Sequence, residues 1–132
     1  MKPTKVKKLL HTRMRVNDLE KTVIFYTKVL GLEEVMRKES PRGSKLVFLR
    51  SPESEALVEI TYYPQSGSVN VQPDLMHLAF EVESLDAFEQ HLKRCGYSFS
   101  DGPTESTSTQ SRFAFVDAPE GYEIELVEYL DG

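Results

Sequence analysis

The sequence has one cysteine, Cys95, and no apolar run near the ~18 residues that a membrane-spanning helix needs. No internal disulfide is therefore possible. We expect Cys95, just before Gly96 at the end of a predicted helix, to be a small buried residue and not a nucleophile. The amino terminus is basic but lacks the apolar core of a signal peptide. These absences favour a cytoplasmic protein with no membrane partner.

An excess of basic residues is also absent. The chain has 16 Lys and Arg against 21 Asp and Glu, so its formal net charge is −5. No nucleic-acid partner is expected for a chain with this charge. Its 132 residues, 39% of them hydrophobic and 28% charged, are typical of one globular domain covering residues 1–132.

The two halves of the chain align with each other at an offset of 66 residues. The apolar matches that set this offset are Val16 with Val82, Leu19 with Leu85, Val58 with Ile124, and Ile60 with Leu126. The same offset aligns His11 with His77 and Glu59 with Glu125. We therefore interpret the chain as two copies of one module, at about residues 8–64 and about residues 74–130.

Each half has the pattern of a strand, a helix and three more strands. The predicted strands are Leu9–Val16, Glu33–Lys38, Lys45–Leu49 and Ala56–Tyr63 in the first half, and Leu75–Val82, Tyr97–Ser100, Arg112–Asp117 and Tyr122–Tyr129 in the second. Asn17 or Asp18 can begin the first helix, and Ser84 the second. Gly31 and Gly96 end them. The pattern predicts an α+β fold of two tandem βαβββ modules.

Strand alternation places four polar side chains on the sheet face that the helices do not cover. They are His11, Glu59, His77 and Glu125. Carboxylates are rarely found among apolar neighbours unless they are paired or bind a metal. Two imidazoles and two carboxylates suit Zn, Ni, Co, Fe or Mn and leave positions of an octahedral ion open. The pattern predicts one divalent metal.

The third histidine, His91, lacks a counterpart and is expected to be exposed and not a ligand.

Four stretches resemble the glyoxalase I (lactoylglutathione lyase) family of the vicinal oxygen chelate superfamily. They are Leu10–Leu32, Leu57–Tyr62, Met76–Val82 and Phe113–Glu128. The ligand order His, Glu, His, Glu of the bacterial members falls on the four residues above.

The resemblance implies a glyoxalase/bleomycin-resistance-like fold with cupped mixed sheets. It implies a homodimer in which each Ni or Zn site takes His11 and Glu59 from one subunit and His77 and Glu125 from its partner. The implied reaction is methylglyoxal detoxification, in which the methylglyoxal–glutathione hemithioacetal is isomerised to S-lactoylglutathione. Glu125 would be the base, Glu59 its partner across the site, and Arg15 the residue that binds a glutathione carboxylate.

Two departures from the family leave the thiol open. Tyr63 stands where many relatives carry an asparagine that helps to hold glutathione, and Thr104–Ser106 contains no lysine where some relatives have one. A different thiol, or a substrate without one, remains an alternative. So do an epimerase, a thiol transferase, a dioxygenase and a non-catalytic small-molecule-binding protein of the same fold. Glu59 favours glyoxalase chemistry, because the epimerase pattern has glutamine there and the other two enzymes use three ligands.

Overall fold

The computed structural model describes residues 4–130 and divides the chain into two compact units between Ser68 and Val69. Its elements are β1 (His11–Val16), α1 (Leu19–Ile24), a π-helical turn (Phe25–Val29), β2 (Glu33–Glu39), β3 (Lys45–Arg50), β4 (Leu57–Tyr62), β5 (His77–Glu81), α2 (Leu85–Arg94), β6 (Asp101–Ser106), β7 (Ser111–Asp117) and β8 (Glu123–Tyr129), with short 3-10 turns at Pro64–Ser66 and Pro119–Gly121. Among these described residues, no helix has both the length and the apolar character needed to cross a bilayer.

The first unit is a four-stranded mixed sheet with the strand order β1-β4-β3-β2. β1 runs parallel to β4, and the other neighbours are antiparallel. A parallel pair needs a long crossover connection, which the helix and the two intervening strands supply. Met14, Val16 and Ile60 on one sheet face are at most 3% exposed. They form the core together with Val23 and Tyr26 of the helical segment.

The first helix begins as an α-helix, as predicted, but its second half is a π-helix. The Asp18 side chain accepts a hydrogen bond from the Lys21 N–H at 3.1 Å. This N–H, in the first turn, has no partner within the helix, so the bond caps the helix. Phe25–Val29 then forms a π-helical turn, and the Leu30 N–H donates to the Phe25 carbonyl at 3.1 Å. The wider turn brings both Phe25 and Val29 into the core, although the 3.6-residue pattern does not place them on the predicted stripe.

The second unit repeats this topology, with the strand order β5-β8-β7-β6 and β5 parallel to β8. Ser84 caps α2 by accepting a hydrogen bond from the Ala87 N–H at 3.1 Å. Its fully buried core residues are Leu85, Leu92, Ala114, Val116, Ile124 and Leu126. The predicted fold class is therefore confirmed: the chain is α+β, with two four-stranded mixed sheets.

Arg112, on β7, connects the start of α2 to the sheet of the second unit through a hydrogen bond and an ion pair. Its Nη2 donates to Asp86 Oδ1 at 3.3 Å, and its Nη1 lies 3.9 Å from Glu128 Oε1. The same Glu128 oxygen accepts the Leu85 N–H at 2.7 Å. The hydrogen bond to Asp86 raises the pKa of Arg112 above its ordinary value, so the guanidinium remains charged. These contacts hold α2 on one sheet face and leave the other face to the candidate site.

The predicted strand Tyr97–Ser100 is wrong, because β6 lies at Asp101–Ser106. The Tyr97 N–H donates to the Leu92 carbonyl at 2.8 Å, so these residues complete the end of α2. Pairing with β7 begins at the Ser100 N–H, which donates to the Phe115 carbonyl at 2.7 Å.

The predicted start of the first strand and the expected burial of Cys95 are also wrong. The first strand is predicted from Leu9, but β1 begins at His11, and Leu9 and Leu10 before it are 69% and 62% exposed. Cys95, expected to be buried, is exposed. It is the C-cap of α2, one position beyond the helix whose residues Leu85 and Leu92 are buried.

Gly102 provides a test of the close contact between β6 and β7. A Cβ at Gly102 (φ +89°) would lie 2.9 Å from the Phe113 carbonyl oxygen, whereas one at Gly43 (φ +90°) would meet nothing within 4 Å. We expect both alanine variants to lose about 1 kcal/mol of unfolding free energy from the left-handed backbone. Gly102→Ala should lose about 1–3 kcal/mol more from the clash. Urea unfolding measures the difference, and equal losses would contradict this packing.

Candidate metal centre

The first pair of predicted ligands lies on adjacent parallel strands. In the register of β1 and β4, His11 lies opposite Leu57 and Arg13 lies opposite Glu59. His11 therefore meets Glu59 diagonally across the strands, with His11 Nε2 3.3 Å from Glu59 Oε1. The structure thus brings together the two site residues that the sequence predicts for the first module.

Both carboxylate oxygens of Glu59 have partners. The residue is only 5% exposed. The Thr61 hydroxyl donates to Oε2 at 2.6 Å, and Arg13 Nε lies 3.6 Å from the same oxygen. The ring of Phe48, which is the β3 neighbour of Glu59, meets the His11 imidazole edge-to-face with centroids 5.7 Å apart. A buried carboxylate is costly unless it is compensated, and these contacts compensate this one.

The second pair has the same core geometry in a different environment. His77 Nε2 lies 3.0 Å from Glu125 Oε1, and Phe115 meets His77 edge-to-face at 5.5 Å. Ala79 lies opposite Glu125 in the strand register, where Arg13 lies in the first unit. Val127 takes the place of Thr61. The Glu125 side chain is 22% exposed, against 6% for Glu59.

The donor atoms of each pair fit a borderline divalent cation. An imidazole nitrogen and a carboxylate oxygen face each other, and the side chains of His11 and His77 remain 42% and 39% exposed, so an ion can reach them. Within residues 4–130, neither unit gathers three His, Cys, Asp or Glu side chains into a group that could hold a metal. Each unit thus offers two of the four ligands that the sequence predicts.

Arg15, the predicted glutathione-binding residue, contacts the backbone that follows β4. Its Nη1 donates to the Gly67 carbonyl at 2.6 Å and to the Tyr63 carbonyl at 3.3 Å. These bonds show a structural role for Arg15 that the sequence did not suggest. Its role in binding a thiol carboxylate stays a prediction.

His91 lies on α2 and not on a ligand-bearing strand. It is half-buried, although exposure was expected, because its ring packs on Phe88 with centroids 5.3 Å apart. Its Nε2 lies 3.9 Å from Cys95 Sγ.

The sequence reasoning did not identify four neighbours of the predicted ligands: Arg13, Phe48, Thr61 and Phe115. Alternation along β1 and β4 already places Arg13 and Thr61 on the ligand face, so a signal for these two existed. For Phe115 the repeat was misleading. An offset of 66 matches Phe48 with Ala114, whereas the pairing of β7 with β8 puts Phe115 opposite Glu125.

Comparison with known proteins identifies the superfamily to which the chain belongs. Residues 8–126 match the sequence model of the Glyoxalase/Bleomycin resistance protein/Dioxygenase superfamily. The match covers most of the chain, so the chain belongs to this superfamily.

The chain is also similar to individual proteins. The chain is 35% identical over 129 residues to a lactoylglutathione lyase of Salmonella typhimurium, and the alignment covers 94% of each chain. Among solved structures, glyoxalase I of Leishmania major, described as trypanothione-dependent, has a TM-score of 0.74 and 30% identity, and covers 93% of this chain and 87% of its own. An antibiotic-binding protein of a Streptomyces species has a TM-score of 0.79 at 18% identity, covering 96% of this chain and 99% of its own. At that identity it shares the fold alone.

The histidines test whether the two pairs bind metal. We expect His11→Ala and His77→Ala each to weaken Ni²⁺ binding by about tenfold or more, because each removes a ligand nitrogen. His91→Ala is the matched control and should bind Ni²⁺ as tightly as the wild type. Calorimetric titration of metal-free protein measures these affinities. Loss of binding in His91→Ala alone would contradict the assignment of the pairs.

Proposed function

We propose that this protein is a metal-dependent lactoylglutathione lyase, which isomerises the methylglyoxal–glutathione hemithioacetal to S-lactoylglutathione. The observation that carries the proposal is the recurrence of one histidine–glutamate pair, at 3.3 and 3.0 Å, on the equivalent strands of both units. The name of the Salmonella relative, which is 35% identical over 94% of both chains, supports the same activity.

The proposed ligands are His11, Glu59, His77 and Glu125, and the proposed metal is Ni or Zn. We propose a homodimer in which each site takes the first pair from one subunit and the second pair from the other, since two ligands from a single unit are too few for a closed site. A bound divalent cation would supply electrostatic stabilisation of the negative charge that develops on the substrate oxygens.

In the proposed mechanism, one carboxylate of the protein, that of Glu125, moves the proton. The hemithioacetal carbon that bears the sulfur and the hydroxyl loses its proton to Glu125, and the resulting enediolate accepts that proton on the neighbouring carbon. The hydroxyl proton passes from the first oxygen to the second, so atoms balance and no oxidant is needed. Glu125 suits this work as a general base, because its side chain is 22% exposed and because Val127, which has no hydroxyl, stands where Thr61 donates to Glu59 in the first unit.

The descriptions of two relatives name different thiols for the hemithioacetal. Glutathione is favoured by the Salmonella relative's name, while the Leishmania enzyme is described as depending on trypanothione. The Tyr63 carbonyl accepts a hydrogen bond from Arg15, the residue proposed to bind the thiol carboxylate. Both thiols should therefore be assayed.

A non-catalytic ligand-binding protein is the second candidate, because the Streptomyces antibiotic-binding protein has the same fold. The two preserved pairs count against it, since a protein that only sequesters a ligand has no need of a base. Metal-dependent turnover separates the two candidates directly.

Glu125 tests the proposed chemistry. We expect metal-stripped protein to gain hemithioacetal isomerase activity on reconstitution with Ni²⁺ or Zn²⁺. Glu125→Gln should retain most of its bound metal yet lose at least about 100-fold in kcat, since a general base contributes about 10²–10⁴-fold. Glu89→Gln is the control and should keep wild-type kcat, because Glu89 lies on α2, on the sheet face opposite the candidate site. Wild-type turnover by Glu125→Gln would show that another group is the base.

A further inference from the structure

The carboxylates of Glu59 and Glu125 differ in the contacts that hold them in place. Glu59 is contacted on both oxygens, by His11 on Oε1 and by Thr61 and Arg13 on Oε2. In the described part of the chain, the side chain of Glu125 makes one such contact, with His77. Two equivalent glutamates thus differ in their freedom to move.

The difference arises from two positions in the repeat. Arg13 in the first unit is replaced by Ala79 in the second, and each lies opposite the glutamate in its strand register. Thr61, two residues after Glu59, is replaced by Val127. Neither alanine nor valine can donate a hydrogen bond from its side chain. The second unit therefore lacks both contacts that fix the first carboxylate.

We infer that Arg13 and Thr61 are positioning residues, which fix Glu59 as the static carboxylate of the site and leave Glu125 as the mobile one. The inference rests on the proposed function and deepens it, because it assigns different parts to two residues of the same type. A carboxylate bound at both oxygens is preorganised as a ligand and cannot swing toward a substrate carbon. A carboxylate bound at a single oxygen can rotate between binding the metal and taking a proton from the substrate carbon.

The first test measures metal binding and needs no substrate. Ni²⁺ is titrated calorimetrically into metal-free wild type, Thr61→Val and the control Thr12→Val. Valine has nearly the shape of threonine, and Thr12 lies on β1 on the face opposite His11. We expect Thr61→Val to weaken Ni²⁺ binding about tenfold, as is common when the partner of a ligand is removed, and Thr12→Val to leave it unchanged. Equal affinity of Thr61→Val and wild type would overturn the inference.

Arg13→Met separates positioning from simple charge. A cation beside the site repels a metal ion, so its removal would tighten Ni²⁺ binding if charge were its only effect. Positioning predicts the opposite, because Glu59 Oε2 loses the guanidinium 3.6 Å away that orients it. Weaker binding supports the inference, and tighter binding overturns it for Arg13.

The converse test fixes Glu125 in place. Val127→Thr puts a hydroxyl two residues after Glu125, as Thr61 stands to Glu59. We expect a several-fold lower kcat with unchanged KM for the hemithioacetal and unchanged Ni²⁺ affinity. Wild-type kcat would show that Glu125 needs no such freedom and would overturn that part of the inference. A wild-type protein that binds Ni²⁺ but has no turnover would overturn the proposed function instead, and the comparison of affinities would still decide the role of Thr61.

Discussion

The register between the first and last strand of each unit is the constraint on which the candidate site depends. In parallel pairing, residues that share a face stay in step along both strands. His11 opposite Leu57 and His77 opposite Glu123 therefore each lie two positions from a glutamate on the same face. A slip of one residue would turn the glutamate toward the helix and the core. Ile60 and Ile124, both 0% exposed on the opposite face, oppose such a slip because it would bring them out of the core.

The two units share this geometry, but the surroundings of their glutamates differ. The side chain of Glu59 is 6% exposed, and a charge so deeply buried needs partners on every side. Thr61 and Arg13 supply them. Glu125 keeps more contact with solvent and tolerates the apolar Val127 nearby. Glu59 and Glu125 therefore differ in burial and in hydrogen bonding, although they are the same type of residue at equivalent positions.

Most of the fold could be predicted from the sequence, because the repeat, the alternation of the strands and the caps at Asp18 and Ser84 are local patterns. The π-helical turn at Phe25–Val29 could not, since it depends on how the helix packs on its sheet. Alternation predicted that His11, Glu59, His77 and Glu125 face away from the helices, and the structure places His11 beside Glu59 and His77 beside Glu125. It could not place Phe115, because the partner of a residue on the next strand depends on register. Nor does a chain's own sequence contain the geometry of a subunit interface, which the proposed site requires.

Complementation between two inactive chains tests the central claim, that one pair from each of two subunits forms each site. One chain would carry His11→Ala with Glu59→Gln, and the other His77→Ala with Glu125→Gln. With different tags, the co-expressed heterodimer can be isolated. One of its two sites would be intact, so we expect about half of the wild-type turnover per dimer, while each parent is inactive. A heterodimer no more active than its parents would contradict the shared site.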